Sequence, residues 1–377
     1  MKARLVCILM AVAMSSQAGS TGLASSAAGG TNSIYPIDLE AALRLAGARN
    51  LDIQIARERL NEAEANRQSA NERFIPWLAP GVSFHRRDGV AQAVPAGTIS
   101  DAHFQSYSPG ITLGAQVTLG EAIYNSLAAK QLVKASNQGL ETQRQDASAN
   151  AAQGYFELAE ASALVEVARQ SLQISRDYLD ELHTAVGAGI AFKGDELRVQ
   201  SQSEHNEIVL QKSLEHQRVA AASLAQLLHL DPRVELVPEE AELVPIALFD
   251  TNSALDSLVV QALIARPESK QSQAFIAAAQ AGKDGAVYGP LIPSVGAQAF
   301  GGGLGGGPDG GHSTFAGEAD YLVGVSWKIG PGGLFDFGQI RANKARVAAA
   351  RVGDSALKDA IVSQVVTNFA HVQSLAA

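Results

Sequence analysis

A seven-residue repeat of apolar side chains, in the middle of the sequence, constrains this chain most. A strict spacing of seven separates the members of its first row, which are Leu158, Val165, Leu172, Leu179 and Val186. A second row lies three residues further on and is mostly small: Ala161, Ala168, Ser175 and Leu182. A strict seven-residue repeat makes an α-helix supercoil against its neighbours, and small side chains let those neighbours approach closely. The pattern predicts one long helix over residues 120–186.

A turn rich in glycine follows this helix. Gly187, Gly189 and Gly194 lie within eight residues of one another, and glycine readily ends a helix. Asp195 is a favourable residue to cap the next helix. The apolar seam then resumes in a returning helix, which we expect to end at Pro232 because proline cannot continue a helix. Residues 120–230 therefore predict a helical hairpin whose tip is at residues 187–195, although an ordinary coiled-coil rod would have the same seam.

The elements around the hairpin occur twice in the same order. Residues 49–76 and 266–293 have the same length, and each stretch ends in Ile-Pro before the sequence becomes strand-like. The first copy predicts helices at residues 37–48 and from Asn50 onward, strands at 78–86 and 110–119, and a polar loop at 87–109 between them. The second copy predicts helices at residues 255–265 and 266–286, strands at 294–300 and 321–329, a glycine-rich loop at 301–317, and a long helix at 339–377. Duplication on this scale is a fold-level signal.

Residues 111–119 alternate apolar with small or polar side chains and carry no charge. This is the pattern of a strand with one apolar face, and about nine to eleven residues are enough for a tilted strand to cross a bilayer. A strand of a soluble sheet would show the same alternation, so this stretch leaves both interpretations open.

The N-terminus predicts export from the cytoplasm. Lys2 and Arg4 precede an apolar run at residues 5–14, and small residues lead up to Ala18, as in a cleavable signal peptide. The only cysteine, Cys7, lies inside this segment. Residues 19–36 are rich in Ser, Gly, Ala and Thr, and we expect a flexible leader there. After Ala18 no run of 18 apolar residues predicts a transmembrane helix.

The sequence offers no motif for catalysis, for a cofactor or for a metal. Residues 301–307 are glycine-rich, but they lack the lysine of a phosphate-binding loop and do not lead into a helix. The eight histidines show no paired metal-ligand spacing. A formal net charge of −9 argues against a nucleic-acid surface.

The duplicated order of elements resembles the TolC-type outer-membrane efflux proteins over residues 37–377. Four short stretches carry the likeness: Leu39-Glu40-Ala41-Ala42 with Asn50, Arg266-Pro267-Glu268, Ile292-Pro293-Ser294, and the turn at residues 187–195 with the apolar stretch 222–228. The resemblance implies a homotrimer in the outer membrane, in which each chain gives four strands to a twelve-stranded barrel and long helices to a periplasmic tunnel. It implies a channel without enzyme activity or cofactor, which works with a periplasmic adaptor and an inner-membrane pump to export small molecules or proteins. The residues expected to contact the adaptor are those of the tip: Gly187, Gly189, Ile190, Phe192, Gly194 and Asp195.

The sequence patterns and the resemblance together divide the chain into parts. We expect a signal peptide at residues 1–18, a leader at 19–36, a first repeat at 37–230, an equatorial connector at 231–254, and an incomplete second repeat at 255–377. A full member would have a second tip and a last helix, so the resemblance implies a chain shortened at its C-terminus: a fragment, a truncated gene product or an unusual variant. The alternative functions are a periplasmic coiled-coil adaptor, a structural rod, or a truncated fragment without function. The duplicated strand pairs favour the channel, because an adaptor should have one hairpin and no repeat of the whole plan.

Overall fold

A long helical hairpin and a four-stranded sheet dominate the computed structural model of the chain, which describes residues 34–75, 77–92, 97–239, 254–308 and 314–376. The strands are β1 (Ile34–Ile37), β2 (Trp77–Gln92), β3 (Ile99–Thr118), β4 (Glu235–Pro238), β5 (Ser294–Pro308) and β6 (Thr314–Ser326). The helices are α1 (Leu39–Arg49), α2 (Leu51–Glu72), α3 (Leu119–Gly187), α4 (Lys193–Leu227), α5 (Leu255–Ala265), α6 (Pro267–Tyr288) and α7 (Phe337–Ala376). Among these helices, none is both long enough and apolar enough to cross a membrane.

The predicted hairpin is confirmed. Helix α3 has 69 residues and is about 100 Å long at a rise of roughly 1.5 Å per residue. Helix α4 returns along it for 35 residues. The predicted seam is the buried stripe of α3, since Leu158 and Ala161 are fully buried and Val165 is almost so.

One apolar core fastens the start of the described chain to the base of the hairpin. It joins Ile37 and α1 to Tyr155 on α3, Leu224 on α4 and Leu236 on β4, and all four of these side chains are almost completely buried. Strand β1 pairs in parallel with β4, which lies beyond α4 in the chain. Because this pairing is not local, no sequence pattern around either strand announces it.

Strands β1 and β4 correct two sequence predictions. The leader expected at residues 19–36 is wrong at its end, where residues 34–36 belong to β1. The connector expected to have little regular structure contains β4, whereas residues 240–253 lie outside the described residues. The predicted signal peptide at residues 1–18 also lies outside them.

The ends of α2 and α4 are tied to each other. Asn50 caps α2 as predicted, because its Oδ1 accepts hydrogen bonds from the backbone N–H groups of Asp52 at 2.8 Å and Ile53 at 3.1 Å. The N–H of Leu51 donates to His229 Nε2 at 3.1 Å. His229 has a φ of 53° and lies just after α4, which ends at Leu227 rather than at the predicted Pro232.

The four predicted strands are present, and they form one antiparallel sheet in the order β2-β3-β5-β6. The strands are longer than predicted. The polar loop expected at residues 87–109 is wrong, since β2 continues to Gln92 and β3 starts at Ile99. The loop expected at 301–317 is wrong as well, since β5 and β6 leave only residues 309–313 between them. At its other end β6 stops at Ser326, three residues before the predicted end.

Aromatic rings explain how a glycine-rich stretch forms a strand. A Cβ atom on Gly303 would lie 2.1 Å from Phe315 Cζ, and one on Gly305 would lie 2.5 Å from Tyr107 Cζ. Tyr107 and Phe315 both pair with Gly305 and stack at a centroid distance of 6.1 Å. Glycine therefore leaves the space that the neighbouring rings fill, an arrangement known to stabilise strand glycines.

The two repeats meet most closely where α3 leaves the sheet. A Cβ atom on Gly120 would lie 2.0 Å from the carbonyl oxygen of Gly289, which is a backbone atom that cannot move aside. We expect Gly120→Ala to destabilise the fold by about 1–3 kcal/mol through overpacking. A lower midpoint of thermal unfolding, followed by circular dichroism of the helices, would measure this loss.

Gly139→Ala is the matched control on the same helix. Its Cβ would meet Gln271 Nε2 at 2.7 Å, and this atom is the far end of a flexible side chain. Alanine also favours a helix over glycine by up to about 1 kcal/mol. We therefore expect the control to leave the midpoint unchanged or to raise it, and equal losses in both variants would contradict the close-contact explanation.

Candidate channel wall and hairpin tip

The four-stranded sheet has one apolar and one polar face. Successive side chains of a strand point to opposite faces, and the register continues each face across all four strands. The apolar face carries Leu78, Pro80, Val82, Phe84, Tyr107, Ile111, Leu113, Ala297, Ala299, Phe315, Tyr321, Val323 and Val325. The more polar face carries Ser83, His85, Arg87, Ser106, Ser108, Thr112, Gln116, Gln298, Glu318 and Asp320, together with five large apolar side chains, Trp77, Phe104, Phe300, Leu304 and Leu322. This difference between faces is typical of an antiparallel sheet with one side against apolar groups and the other side in water.

The apolar face ends in a charged cluster near the β2–β3 connection. Arg86 Nε donates to Asp88 Oδ2 at 2.8 Å, and His103 Nδ1 lies 3.2 Å from Asp88 Oδ1. All three side chains are about half exposed or more. The apolar face is thus a band of limited height, bounded by charge at the end away from the helices.

The sheet has two open edges. Strand β2 forms one edge and β6 the other, and within the described part of the chain neither has a partner on its outer side. Because four antiparallel strands alternate in direction, the two edge strands run opposite ways. An additional copy of the sheet can therefore continue the antiparallel order by placing its β2 beside β6.

The hairpin tip is a compact turn that the predicted glycines make possible. Gly189 has a φ of +74°, which is a left-handed conformation that glycine adopts without strain. The N–H of Ile190 donates to the carbonyl of Ala185 at 2.9 Å, and the N–H of Gly189 donates to that of Val186 at 3.0 Å. These two bonds define a Schellman motif, which ends α3.

Asp195 does not cap α4 as predicted. The helix begins at Lys193, with Phe192 as the residue before it, and the N–H of Asp195 donates to the Phe192 carbonyl at 3.0 Å. Asp195 lies instead in the first turn of α4, where its negative charge interacts favourably with the positive end of the helix dipole. The helix starts earlier because the turn needs only a few residues once the Schellman bonds are made.

The six predicted tip residues lie together at this turn. Its apolar side chains face solvent, since Ile190 is 82% exposed and Phe192 is 75% exposed. A Cβ atom on Gly194 would meet the Phe192 ring at 2.7 Å, so this glycine lets the ring lie against the start of α4. The tip therefore presents two large apolar side chains that the hairpin itself does not bury.

Sequence analysis missed an ionic clamp just below the tip. Glu196, on the first turn of α4, is only 6% exposed. Its Oε1 lies 2.9 Å from His183 Nδ1 on α3, and its Oε2 lies 2.6 Å from Lys193 Nζ. Lys193 and His183, in this order, lower the pKa of Glu196 below its ordinary value. The signal in the sequence was an acidic residue in the first turn of a helix, but its partner on the preceding helix becomes clear only when the hairpin closes.

The described residues hold no group of three or more histidine, cysteine, aspartate or glutamate side chains that could bind a metal ion. The features that stand out are a two-faced sheet with open edges and a long hairpin with an exposed apolar tip. The family model described as "Outer membrane efflux protein" matches residues 42–229 of this sequence. The chain belongs to the outer membrane efflux protein family.

Solved structures of outer-membrane channels share the fold of this family member. The outer membrane channel CmeC of Campylobacter jejuni is 16% identical with a TM-score of 0.70, and the match covers 90% of this chain and 73% of that one. VceC of Vibrio cholerae is 19% identical with a TM-score of 0.62, and the match covers 89% and 78%. The open state of the Neisseria gonorrhoeae channel MtrE is 19% identical with a TM-score of 0.59, and the match covers 88% and 70%. No curated protein sequence matches the chain.

The clamp below the tip gives a pH-dependent prediction. Because the pKa of Glu196 is lowered in the folded chain, its contribution to tip stability is present above its ordinary pKa and is lost as the pH falls through the lowered value. We expect Glu196→Gln to increase hydrogen exchange in the peptide that spans the tip at pH 7. The difference from the unchanged chain should shrink as the pH falls through the lowered pKa of Glu196, because the protonated side chain is then uncharged, as glutamine is. Exchange measured by mass spectrometry on pH-matched samples would test this.

Asp195→Asn removes the neighbouring carboxylate and is the control. Asp195 is exposed, and its contact with Arg198 Nη1 is 3.5 Å long. Exposed pairs of this kind contribute little to stability. We expect a smaller change in tip exchange for this variant than for Glu196→Gln, and an equal effect would mean that the clamp has no special role.

Proposed function

We propose that this chain is the protomer of an outer-membrane channel that exports substances from the periplasm. One observation carries the proposal: a sheet with an apolar and a polar face, and two open edges, stands at the end of a long helical hairpin. Family membership supports the same role, since the family and the solved structures of similar fold are outer-membrane channels.

The open edges argue for a ring of several copies. A lipid bilayer does not tolerate unpaired backbone N–H and C=O groups, so β2 and β6 must find partners there. Head-to-tail contacts between copies close into a ring when the rotation between them allows it. The family works as trimers with an adaptor and an inner-membrane pump, and three copies of this sheet would make a barrel of twelve strands. The polar faces would then line a water-filled interior.

The height of the apolar band fits a bilayer. Ten residue steps separate Phe315 from Val325 on β6, which is about 33 Å along the strand. A strand tilted by about 40° would span about 25 Å of membrane over this distance, the usual height of such a band. Phe84, Tyr107 and Phe315 lie at the end of the band away from the helices, and Trp327 lies beside the helices. Aromatic residues at both interfaces are typical of outer-membrane barrels.

The hairpins would extend from the barrel as a periplasmic tunnel. Their small second row lets helices pack side by side in a tunnel wall. The tip residues Gly187, Gly189, Ile190, Phe192, Gly194 and Asp195 would meet the adaptor, with Ile190 and Phe192 as apolar anchors. The energy for transport would come from the inner-membrane pump, because the channel offers only a path.

The location and assembly of the protein test this proposal. We expect the chain in the outer-membrane fraction, as a trimer that dissociates on boiling in detergent, and we expect purified trimers to conduct ions across a planar bilayer. A periplasmic adaptor or rod would instead be recovered in the soluble periplasmic fraction. That result, or trimers without conductance, would refute the channel.

The two exposed tip residues give a separate prediction about the adaptor. Replacing both Ile190 and Phe192 by serine should weaken binding of the cognate adaptor by at least about tenfold, since each buried apolar side chain of this size contributes about 1.5–3 kcal/mol. The trimer itself should remain intact. Binding would be measured between purified channel and adaptor by surface plasmon resonance.

Ile174→Ser is the control for this test. Ile174 lies on α3 and is 70% exposed, but it is more than two helical turns away from the tip. We expect this variant to bind the adaptor as tightly as the unchanged chain does. Unchanged binding by the Ile190 and Phe192 double variant would refute the assignment of the tip.

A further inference from the structure

On the polar face of the sheet, one edge strand carries basic residues and the other edge strand carries acidic residues. His85 and Arg87 lie on β2, and Glu318 and Asp320 lie on β6. Within the part of the chain that the structure describes, none of the four takes part in a salt bridge. The guanidinium of Arg87 donates only to the carbonyl of Val90, at 3.4 Å. The charges are therefore available to a partner at each edge.

Inside one copy the basic and acidic residues cannot meet. Two strands separate β2 from β6. Across the four strands, the residues directly in line with His85 are Ser106 on β3, Gly306 on β5 and Thr314 on β6. The residues directly in line with Glu318 are Gly302 on β5, Gly110 on β3 and Gly81 on β2. The acidic pair is thus displaced along the strands from the basic pair, toward the helices.

Closing a barrel removes this displacement. Strands in a barrel tilt by about 35–45°, and with strands about 4.8 Å apart this tilt shifts the register by about four to six residues over four strands. Only even shifts keep the polar faces together, because side chains alternate. In one direction the shift would set the end of β6 against α2. In the other direction it sets β6 against β2 over the whole length of β6.

The second direction brings the charges together across the boundary between copies. A shift of four residues places Glu318 directly opposite His85 of the neighbouring copy. A shift of six residues places Glu318 opposite Arg87 and Asp320 opposite His85. In both registers an acidic side chain faces a basic residue on the water-filled side of the sheet.

We propose that the acidic residues Glu318 and Asp320 of one copy face the basic residues His85 and Arg87 of the next copy, and that these contacts select the partner edge and the direction of the shift. The proposal rests on the ring of copies inferred above. Opposite charges directly across two strands stabilise their pairing, and like charges destabilise it. Full overlap of two β6 strands would set Asp320 opposite Asp320, so the same residues disfavour edge-to-edge dimers before the chains enter the membrane.

Charge reversal tests the proposal in the full chain. Glu318→Lys together with Asp320→Lys should lower the recovery of trimers from outer membranes at least about tenfold, because several opposite-charge contacts around the ring become like-charge contacts, each worth a factor of about two or more. Adding His85→Glu and Arg87→Glu to the same chain should restore the trimers, since the charges are then exchanged rather than removed.

Gln116→Lys with Gln298→Lys is the matched control. It also adds two lysines to the polar face, but on the central strands β3 and β5. We expect normal recovery of trimers for this variant. Losses equal to those of the Glu318 and Asp320 reversal would overturn the proposal.

Engineered disulfides measure the register directly. In a Cys7→Ser background, Ala79→Cys combined with Gly324→Cys should cross-link neighbouring copies at the four-residue shift, and Ala79→Cys combined with Ser326→Cys at the six-residue shift. Ala79→Cys with Ala316→Cys corresponds to a shift in the opposite direction and should give no cross-linked species.

The outcomes separate this proposal from the proposed channel. Full recovery of trimers by the double reversal, or failure of the fourfold variant to regain them, would overturn the charge pairing while the unchanged chain still forms its trimer. Cross-linking only in the Ala316 combination would overturn the register. Absence of trimers in the unchanged chain would overturn the ring itself and the pairing with it.

Discussion

The packing of α3 against its neighbours is the interaction on which the rest of the structure depends. This one helix contacts α1, α2, α4 and α6, and it joins the sheet at one end to the tip at the other. Small residues set the distances: Gly120 touches Gly289 of the second repeat, and Gly154 lies beneath Leu224 and Leu227 of α4. Larger side chains at these positions would push the helices apart. The side-by-side packing of these helices therefore depends on residues that take up little space.

The duplication gives the chain two similar halves. The first helix of the first half is buried in an apolar core, whereas its counterpart in the second half is not. In the first half, α1 is covered by α3, α4 and β4, and Ala42 and Ala46 on its inner face are almost fully buried. In the second half, α5 packs beside α7, but none of its residues is buried within the described chain. The sheet joins the halves, since β3 of the first pairs with β5 of the second along most of their length. The pair β2–β3 of the first half and the pair β5–β6 of the second half therefore form a single sheet.

The two-faced sheet and the apolar tip have a common physical basis. Each places apolar side chains where the single chain cannot bury them, on one face of the sheet and at Ile190 and Phe192 of the turn. Such surfaces are costly in water and are stable only against lipid or a partner protein. The polar face, by contrast, has hydroxyl, amide and charged groups suited to water. Both surfaces support the proposed assembly of several copies, which the edge residues would help to order.

Local patterns in the sequence determined a large part of this structure. The seven-residue repeat predicted α3 and its seam, Gly189 predicted the turn, Asn50 predicted a helix cap, and the duplication predicted four strands. Each of these depends on residues close together in the chain, which is why they could be predicted from it. Only the tertiary structure decided how far the strands extend, because Tyr107 and Phe315 cover glycines from neighbouring strands. It also decided the pairing of β1 with β4 and the contact of Glu196 with His183. These features come from residues brought together by folding, whose hydrogen bonds and ion pairs exist only once distant segments lie side by side.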